Sequence, residues 1–347
     1  MRAAVLHRGE IVVRDDVEEP TPALGQVLVQ VKACGICGSD LHFARHGAEM
    51  LALGKQMEGL ASLGAPAELD LARDVFLGHE FAAEVLEIGP DTEAPAAVGQ
   101  LVTSLPVLMG MDGIHPIVYS NTVHGGYGER MLLTAPLLLA VPNGLPAHHA
   151  ALTEPMAVGL HAVNRSGIER GAGALVLGCG PVGLAVIAAL RVKGIEPIVA
   201  ADLSPARRAL ALTMGAQVAV DPRETTGWEA WQQAGGGRPL HVYEAIGVPG
   251  IINDIMRSAP AGTSVTVVGV CMETDTVTPF FGIAKELHIQ FVLGYDPMEF
   301  AESLRSIAEG EIDVAPMVTA QVPLERTGWA FQALGDPEEH CKIIVEP

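Results

Sequence analysis

The sequence predicts an α/β protein: a doubly wound parallel sheet joined to a second, barrel-like β domain. Three observations predict it. An apolar run at 174–177 ends in Gly178-Cys-Gly180-Pro-Val-Gly183, and an Ala/Leu-rich segment follows at 184–193. Beyond that turn, strand-like and helix-like runs alternate to about residue 309. Before it, to about residue 150, short apolar runs are punctuated by Pro and Gly.

In chain order, runs at 2–7, 10–14, 26–33, 80–88, 100–103 and 128–133 alternate or are continuously apolar, and each predicts a strand. Pro20, Pro22, Gly25, Gly89, Pro90, Gly125 and Gly126 separate them. This spacing suits a compact β domain. The stretch 43–74 breaks the rhythm. It is rich in Ala, Leu, Met and Gly, predicts one or two short helices, and reads as an insertion bordering a site, because connections this long are uncommon without a role. From 148 the period lengthens, and 148–165 reads as helical with an interruption at Pro155. Then follow strand 197–201, helix 204–214, strand 217–220, a short helix near 228–233, strand 241–245, helix 250–258 and strand 264–269. Ser204 suits the N-cap of helix 204–214, and Pro205 its first helical position. Strand 288–293 and helix 297–309 come next, and runs at 276–281 and 288–293 read as strands able to pair across a two-fold axis. The last stretch, 314–347, returns to a mixed pattern and is expected to rejoin the first domain. The expected division is 1–155 with 296–347, and 156–295.

The glycine turn points to a dinucleotide. Gly178 allows the sharp exit from the strand, Gly180 lets a pyrophosphate approach the backbone, and Gly183 lets the helix pack close on the sheet. Pro181 and Val182 complete the turn, whose free N–H groups face the phosphate charge. Asp202 ends the next apolar run. Its carboxylate can accept ribose hydroxyls and repels a 2′-phosphate, so NAD is the expected cofactor. Arg207 is counted with the cofactor residues, although it and Arg208 also read as a solvated helix face. Ile246, Val270 and Leu293 follow later strands and are placed at the nicotinamide half. Lys342 reads as a surface lysine or a pyrophosphate contact.

Composition excludes several classes. A net charge of −20 over 347 residues argues against nucleic acid and anionic membrane surfaces. No apolar run is long enough to span a bilayer, and the first residues read as a strand, not a signal peptide, so a cytoplasmic protein is expected. Five cysteines in a large chain do not suggest a disulfide framework. Cys179 and Cys271 read as small semi-buried residues, whereas Cys34 and Cys37 form a C-x-x-C open to redox or metal chemistry. Cys37, His79 in Gly-His-Glu and Glu154 in Glu-Pro supply a thiolate, an imidazole and a carboxylate from three distant segments. Those are the ingredients of a catalytic zinc site with a fourth position open.

Taken together, Cys37-Gly-Ser-Asp-Leu-His, Gly78-His-Glu-Phe, Gly125-Gly-Tyr-Gly-Glu, Glu154-Pro-Met-Ala-Val and Gly178-Cys-Gly-Pro-Val-Gly resemble the zinc-dependent medium-chain dehydrogenases, in order and over nearly the whole chain. The resemblance is closest to the sorbitol, butanediol and secondary-alcohol branch. It implies a GroES-like catalytic domain and a Rossmann domain, and hydride transfer between a secondary alcohol, or its ketone, and NAD. It implies that Cys37, His79 and Glu154 hold zinc, with Glu80 beside them or as an alternate ligand. Asp40 would orient the His79 ring, Ser39 would receive the substrate proton, and His42 would pass it on through the cofactor ribose. Cys34 is then structural. A homodimer or homotetramer is implied. The competing readings are a zinc-free quinone or enoyl reductase on the same fold and a non-catalytic cofactor-binding protein. The chain departs from the family pattern in two places. Residues 99–126 contain no cysteine, so one zinc per chain is expected, without a structural one. The insertion at 43–74 also lengthens the gap from Cys37 to His79, and its apolar residues Met50, Leu51, Leu53, Met57, Leu60 and Leu63 favour a neutral, fairly apolar alcohol.

Overall fold

The computed structural model describes residues 1–56 and 69–347. Its first part contains β1 (Ala3–His7), β2 (Glu10–Arg14), β3 (Gln26–Gly35), α1 (Gly38–Gln56), β4 (Val75–Phe76), β5 (Glu80–Ile88) and β6 (Leu101–Ser104). A hairpin, β7 (Val107–Gly110) with β8 (Gly113–Pro116), precedes β9 (Arg130–Thr134), β10 (Leu138–Ala140) and α2 (Ala147–Ala150). Helix α3 (Thr153–Arg165) leads into β11 (Gly173–Leu177), α4 (Pro181–Lys193), β12 (Ile198–Ala201), α5 (Pro205–Met214), β13 (Val218–Val220) and α6 (Gly227–Ala234). The second half of that unit is β14 (Leu240–Glu244), α7 (Ile251–Ser258), β15 (Ser264–Val267), α8 (Pro279–Lys285), β16 (His288–Phe291) and α9 (Pro297–Ala308). The chain closes with β17 (Val318–Pro323), α10 (Thr327–Ala333) and β18 (Lys342–Glu346).

The parallel sheet has the order β13-β12-β11-β14-β15-β16. The order reverses between β11 and β14, which places a crevice at the carboxyl ends of these two strands. Strand β11 is apolar throughout because both faces are covered. Ala174 and Val176 pack with α4 residues such as Val186 and Ile187, while Leu175 and Leu177 pack with Trp231, Val242 and Ile255. Helix α4 starts at Gly180 without a side-chain cap, which leaves its first N–H groups free. Ser204 caps α5 by accepting from Arg207 N, and Pro205 opens that helix as expected.

The N-terminal unit is built on β3, which pairs with β5, β9 and β18. The order β10-β6-β5-β3-β18-β17 brings the last strands of the chain beside the first long one, so 314–347 does rejoin this sheet. The remaining strands form the sheet β2-β1-β4 and the β7–β8 hairpin.

Two local readings change, and a third, the helical insertion, is partly described. The interruption at 148–165 falls at Ala151 and Leu152, before α3, and not at Pro155. Pro155 sits in the first turn, where no intrahelical N–H is required. The strand read at 276–281 is absent: Thr278 precedes Pro279, which opens α8. Part of the insertion is one helix, α1, kinked at His46; Met50 packs on the core while Leu53 is exposed. Met57, Leu60 and Leu63 lie outside the described residues. Among the described residues, no helix is long and apolar enough to cross a membrane.

The two parts are joined by α3 and α9, which are clamped together. Glu299 on α9 is buried. It takes His161 Nδ1 at 2.7 Å and Asn164 Nδ2 at 2.9 Å, both from α3, and its Oε2 also accepts Asp296 N at 3.0 Å. Close packing continues on the other side of α3, where a Cβ on Gly159 would stand 2.4 Å from Ala185 C in α4. Gly159→Ala is therefore expected to cost about 1–3 kcal/mol of stability by overpacking, read as a lower urea midpoint at unchanged slope.

Candidate active site

The metal-site candidates converge from three elements. Cys37 precedes α1, His79 immediately precedes β5, which Glu80 opens, and Glu154 sits in the first turn of α3. Donor atoms of Cys37, His79 and Glu80 all lie within 4.8 Å of one another. Glu154 is buried beside them and couples electrostatically to His79 and Glu80, but it is not part of that 4.8 Å group.

Glycines make this convergence possible. Gly78 adopts φ +99°, and a Cβ there would press on Tyr127 N at 2.9 Å. Gly125 and Gly126 pack against the same backbone: a Cβ on Gly125 would stand 2.2 Å from Leu77 O, and Gly126 N donates to Gly78 O at 2.7 Å. The Gly-Gly-Tyr motif thereby carries Tyr127 beneath the site. The buried Tyr127 hydroxyl donates to Asp40 Oδ2 at 2.6 Å, and Cys37 N reaches the same oxygen at 3.3 Å. The other oxygen, Asp40 Oδ1, faces His79 Nδ1 at 3.6 Å; both atoms are buried and otherwise unpartnered. His79 Nε2 points the other way, 3.5 Å from Ser39 Oγ. A carboxyl at one imidazole nitrogen, with the Cys37 sulfur and the Glu80 carboxyl grouped around the same residue, is an arrangement that suits a metal-ligating histidine.

The charge balance fits a cation. Burial pushes the His79 pKa down, yet Asp40 and then Cys37 outweigh it and raise the imidazole well above its ordinary value. Burial raises the Glu154 carboxyl and, against the pull of His79 and Tyr127, the Asp40 carboxyl. Thiol, imidazole and carboxyl groups gathered in one buried volume are groups that a divalent ion can hold once they give up their protons. Sulfur, nitrogen and oxygen donors together suit zinc.

Sequence reasoning missed several residues here. Lys342 is neither at the surface nor at a phosphate site. It is 1% exposed, and its Nζ donates to Glu80 Oε1 at 2.7 Å, Glu80 Oε2 at 2.8 Å and Ile36 O at 3.0 Å. Only the register of β18 beside β3 reveals this. Tyr119 lies beside Ser39 and stacks on Phe43 with ring centroids 4.0 Å apart. Tyr295, in the loop after β16, lies against Glu154; burial, then Glu154, raise its phenol well above the usual value. His42 is exposed on α1, and partial burial of its ring, then His46 and Arg45, lower its pKa.

The cofactor candidates lie at the crevice of the parallel sheet. Gly178 has φ +92°, and a Cβ there would meet Ala245 O at 2.7 Å. A Cβ on Gly183 would stand 2.0 Å from Gly178 O. At Gly180 the space is open, with only Arg207 Nη1 within reach at 3.9 Å. Pro181 and Val182 begin α4. Asp202 is held by backbone: its Oδ2 accepts Cys179 N at 2.7 Å and its Oδ1 accepts Ser204 N at 2.8 Å. Arg208 donates to Asp202 O and Asp221 Oδ2, and Arg223 also pairs with Asp221, while Arg207 faces the glycine turn. Ile246, Val270 and Leu293 are large apolar residues left 44%, 51% and 61% exposed just beyond β14, β15 and β16.

Comparison with known proteins bears on both halves. Residues 23–143 match the alcohol dehydrogenase GroES-like domain, and residues 181–309 match the zinc-binding dehydrogenase family. The chain is 32% identical to (R,R)-butanediol dehydrogenase of Bacillus subtilis over the full length of both. It is 28% identical to sorbitol dehydrogenase of the same organism, covering all of this chain and 97% of that one. A solved structure from Sinorhizobium meliloti, bound to NADP, superposes with a TM-score of 0.82 at 27% identity, covering 100% of this chain and 99% of that one. A GroES-like unit that gathers metal donors beside a Rossmann-type sheet, matched end to end at this identity, leaves one family: the chain belongs to the zinc-dependent alcohol and polyol dehydrogenases, enzymes that bind zinc and an NAD(P) cofactor.

Proposed function

We propose that the enzyme interconverts a small, neutral secondary alcohol and its ketone, with NAD as hydride carrier and one catalytic zinc per chain. The observation that carries this reading is the grouping of Cys37, His79 and Glu80 with Ser39 beside His79. The similarity to butanediol and sorbitol dehydrogenases supports a neutral substrate. In this reading residues 1–155 and 296–347 form the catalytic unit, and 156–295 the cofactor unit.

Cys37 and His79 would hold the metal. The third donor is one of two buried carboxylates: the Glu-Pro motif favours Glu154, and the 4.8 Å grouping favours Glu80. When bound, zinc supplies polarisation of the substrate oxygen and the nicotinamide carries the hydride. Ser39 takes the hydroxyl proton, with Tyr119 beside it. The lowered pKa of the exposed His42 leaves its ring free to accept that proton and release it to solvent. Asp40, fixed by Tyr127, holds the His79 ring. For the cofactor, the charge of Asp202 beside the turn and the engagement of Arg208 and Arg223 with Asp221 support NAD over NADP. Exposed Phe280, Ile283 and Phe291 around the edge strand β16 support a homodimer or homotetramer formed along that edge.

Metal analysis is expected to give one zinc per chain; two would overturn the single-site reading. Asp40→Asn should weaken zinc binding or activity by about 10–100-fold, through loss of the His79 orienter. Glu154→Gln separates the two donors: loss of zinc assigns the ligand to Glu154, and zinc retained with kcat lost assigns it to Glu80. Full activity removes Glu154 from the site. The ratio of kcat/KM for NAD over NADP should exceed about tenfold, the factor that about 1.4 kcal/mol of like-charge repulsion produces. Phe291→Glu should shift the sedimentation coefficient toward the monomer, and a monomeric wild type would refute the edge interface.

A further inference from the structure

We propose that Glu244 is a positioning residue for the cofactor: its buried carboxylate fixes the backbone of the loop after β14, on which the nicotinamide half rests. The inference depends on the dinucleotide reading above. Glu244 is the last residue of β14 and is 1% exposed. Among the described residues no salt bridge reaches it. Its Oε1 instead accepts Ile246 N at 2.7 Å and Gly247 N at 2.8 Å. Its backbone carbonyl accepts Val268 N at 2.8 Å and Gly269 N at 2.9 Å. Its Oε2 lies 2.7 Å from where a Cβ on Gly269 would stand.

The side chain therefore fixes the loop after β14, and the same residue's backbone carbonyl joins the start of the loop after β15 to it. Glycines keep these loops in contact. A Cβ on Gly247 would meet Val270 O at 2.7 Å and Val270 N at 2.8 Å. On the other side, the glycine turn touches the same loop, since a Cβ on Gly178 would meet Ala245 O at 2.7 Å and Ile246 Cγ1 at 2.9 Å. The braced segments carry the exposed Ile246 and Val270 at the crevice where the strand order reverses. A buried carboxylate with backbone donors at one oxygen is costly beside an apolar side chain of similar size. What it provides is a fixed set of acceptor positions for N–H groups that would otherwise be free to turn.

The test compares NADH with ADP-ribose, which lacks the nicotinamide, on the zinc-loaded protein. Glu244→Ala is expected to raise the Kd for NADH about tenfold or more and to leave the Kd for ADP-ribose within about threefold. Glu244→Gln keeps an acceptor oxygen and should restore NADH binding to within about threefold of wild type. If the alanine variant does not fold, Glu244→Asp withdraws the acceptor by one methylene and should show the same NADH-selective loss. Equal weakening of both ligands, or an unchanged Kd for NADH, overturns the proposal. A wild type that binds neither ligand overturns the dinucleotide reading, and this inference with it.

Discussion

The active site depends on a buried ion pair between the last strand and the fifth. Lys342 and Glu80 have no access to water, and Lys342 gives its remaining reach to Ile36 O. Burial alone would lower the lysine pKa, but Glu80 and then Cys37 overcome it and raise it, so the ammonium stays charged. Removing one partner from such a pair typically costs about 3–5 kcal/mol, because the other charge is left uncompensated. Here the pair also sets charge balance. Cys37, Asp40, Glu80 and Glu154 crowd one small volume, and Lys342 is the basic side chain that answers them from below. The space beside it is left to Gly35, where a Cβ would stand 2.1 Å from Glu80 Oε2. Closing the N-terminal sheet with the C-terminal strand is thus a requirement of the site as well as of the fold.

Much of this was legible in the sequence, for identifiable reasons. The doubly wound sheet was readable because β11, buried on both faces, leaves an unbroken apolar run into a glycine turn. Cys37, His79, Ser39 and Asp40 were readable because short motifs carry them. Lys342, Tyr119, Tyr127 and Tyr295 were not assigned roles at the site, because each reaches it only through tertiary placement. Lys342 needs the register of β18 against β3, where Ile344 opposes Gly35. Tyr127 needs two glycines lying on the Leu77–Gly78 backbone. The strand read at 276–281 failed for a local reason: β-type residues there run into a proline that suits the start of a helix better than the middle of a strand.

The glycines divide into two kinds. Gly78, Gly125, Gly178 and Gly183 are needed because backbone from elsewhere occupies the volume of a side chain, and Gly126 because the Cys34 side chain does. Gly180 is different: its neighbourhood is open, apart from one guanidinium nitrogen at the limit of contact. The former set the architecture of the two half-sites. The latter keeps a place on the surface of α4 where a phosphate can come within reach of unsatisfied N–H groups.

The clamp between α3 and α9 has a mechanical consequence. The chain passes between its two parts once in each direction, and Glu299 binds the outward helix to the returning one through His161 and Asn164. Two separate connections would allow the halves to slide and twist independently. Tied together, they form one joint between the halves rather than two. Glu154 stands in the first turn of α3 and Tyr295 just before α9, so the clamp that ties the two helices also fixes the approach of both side chains to the site.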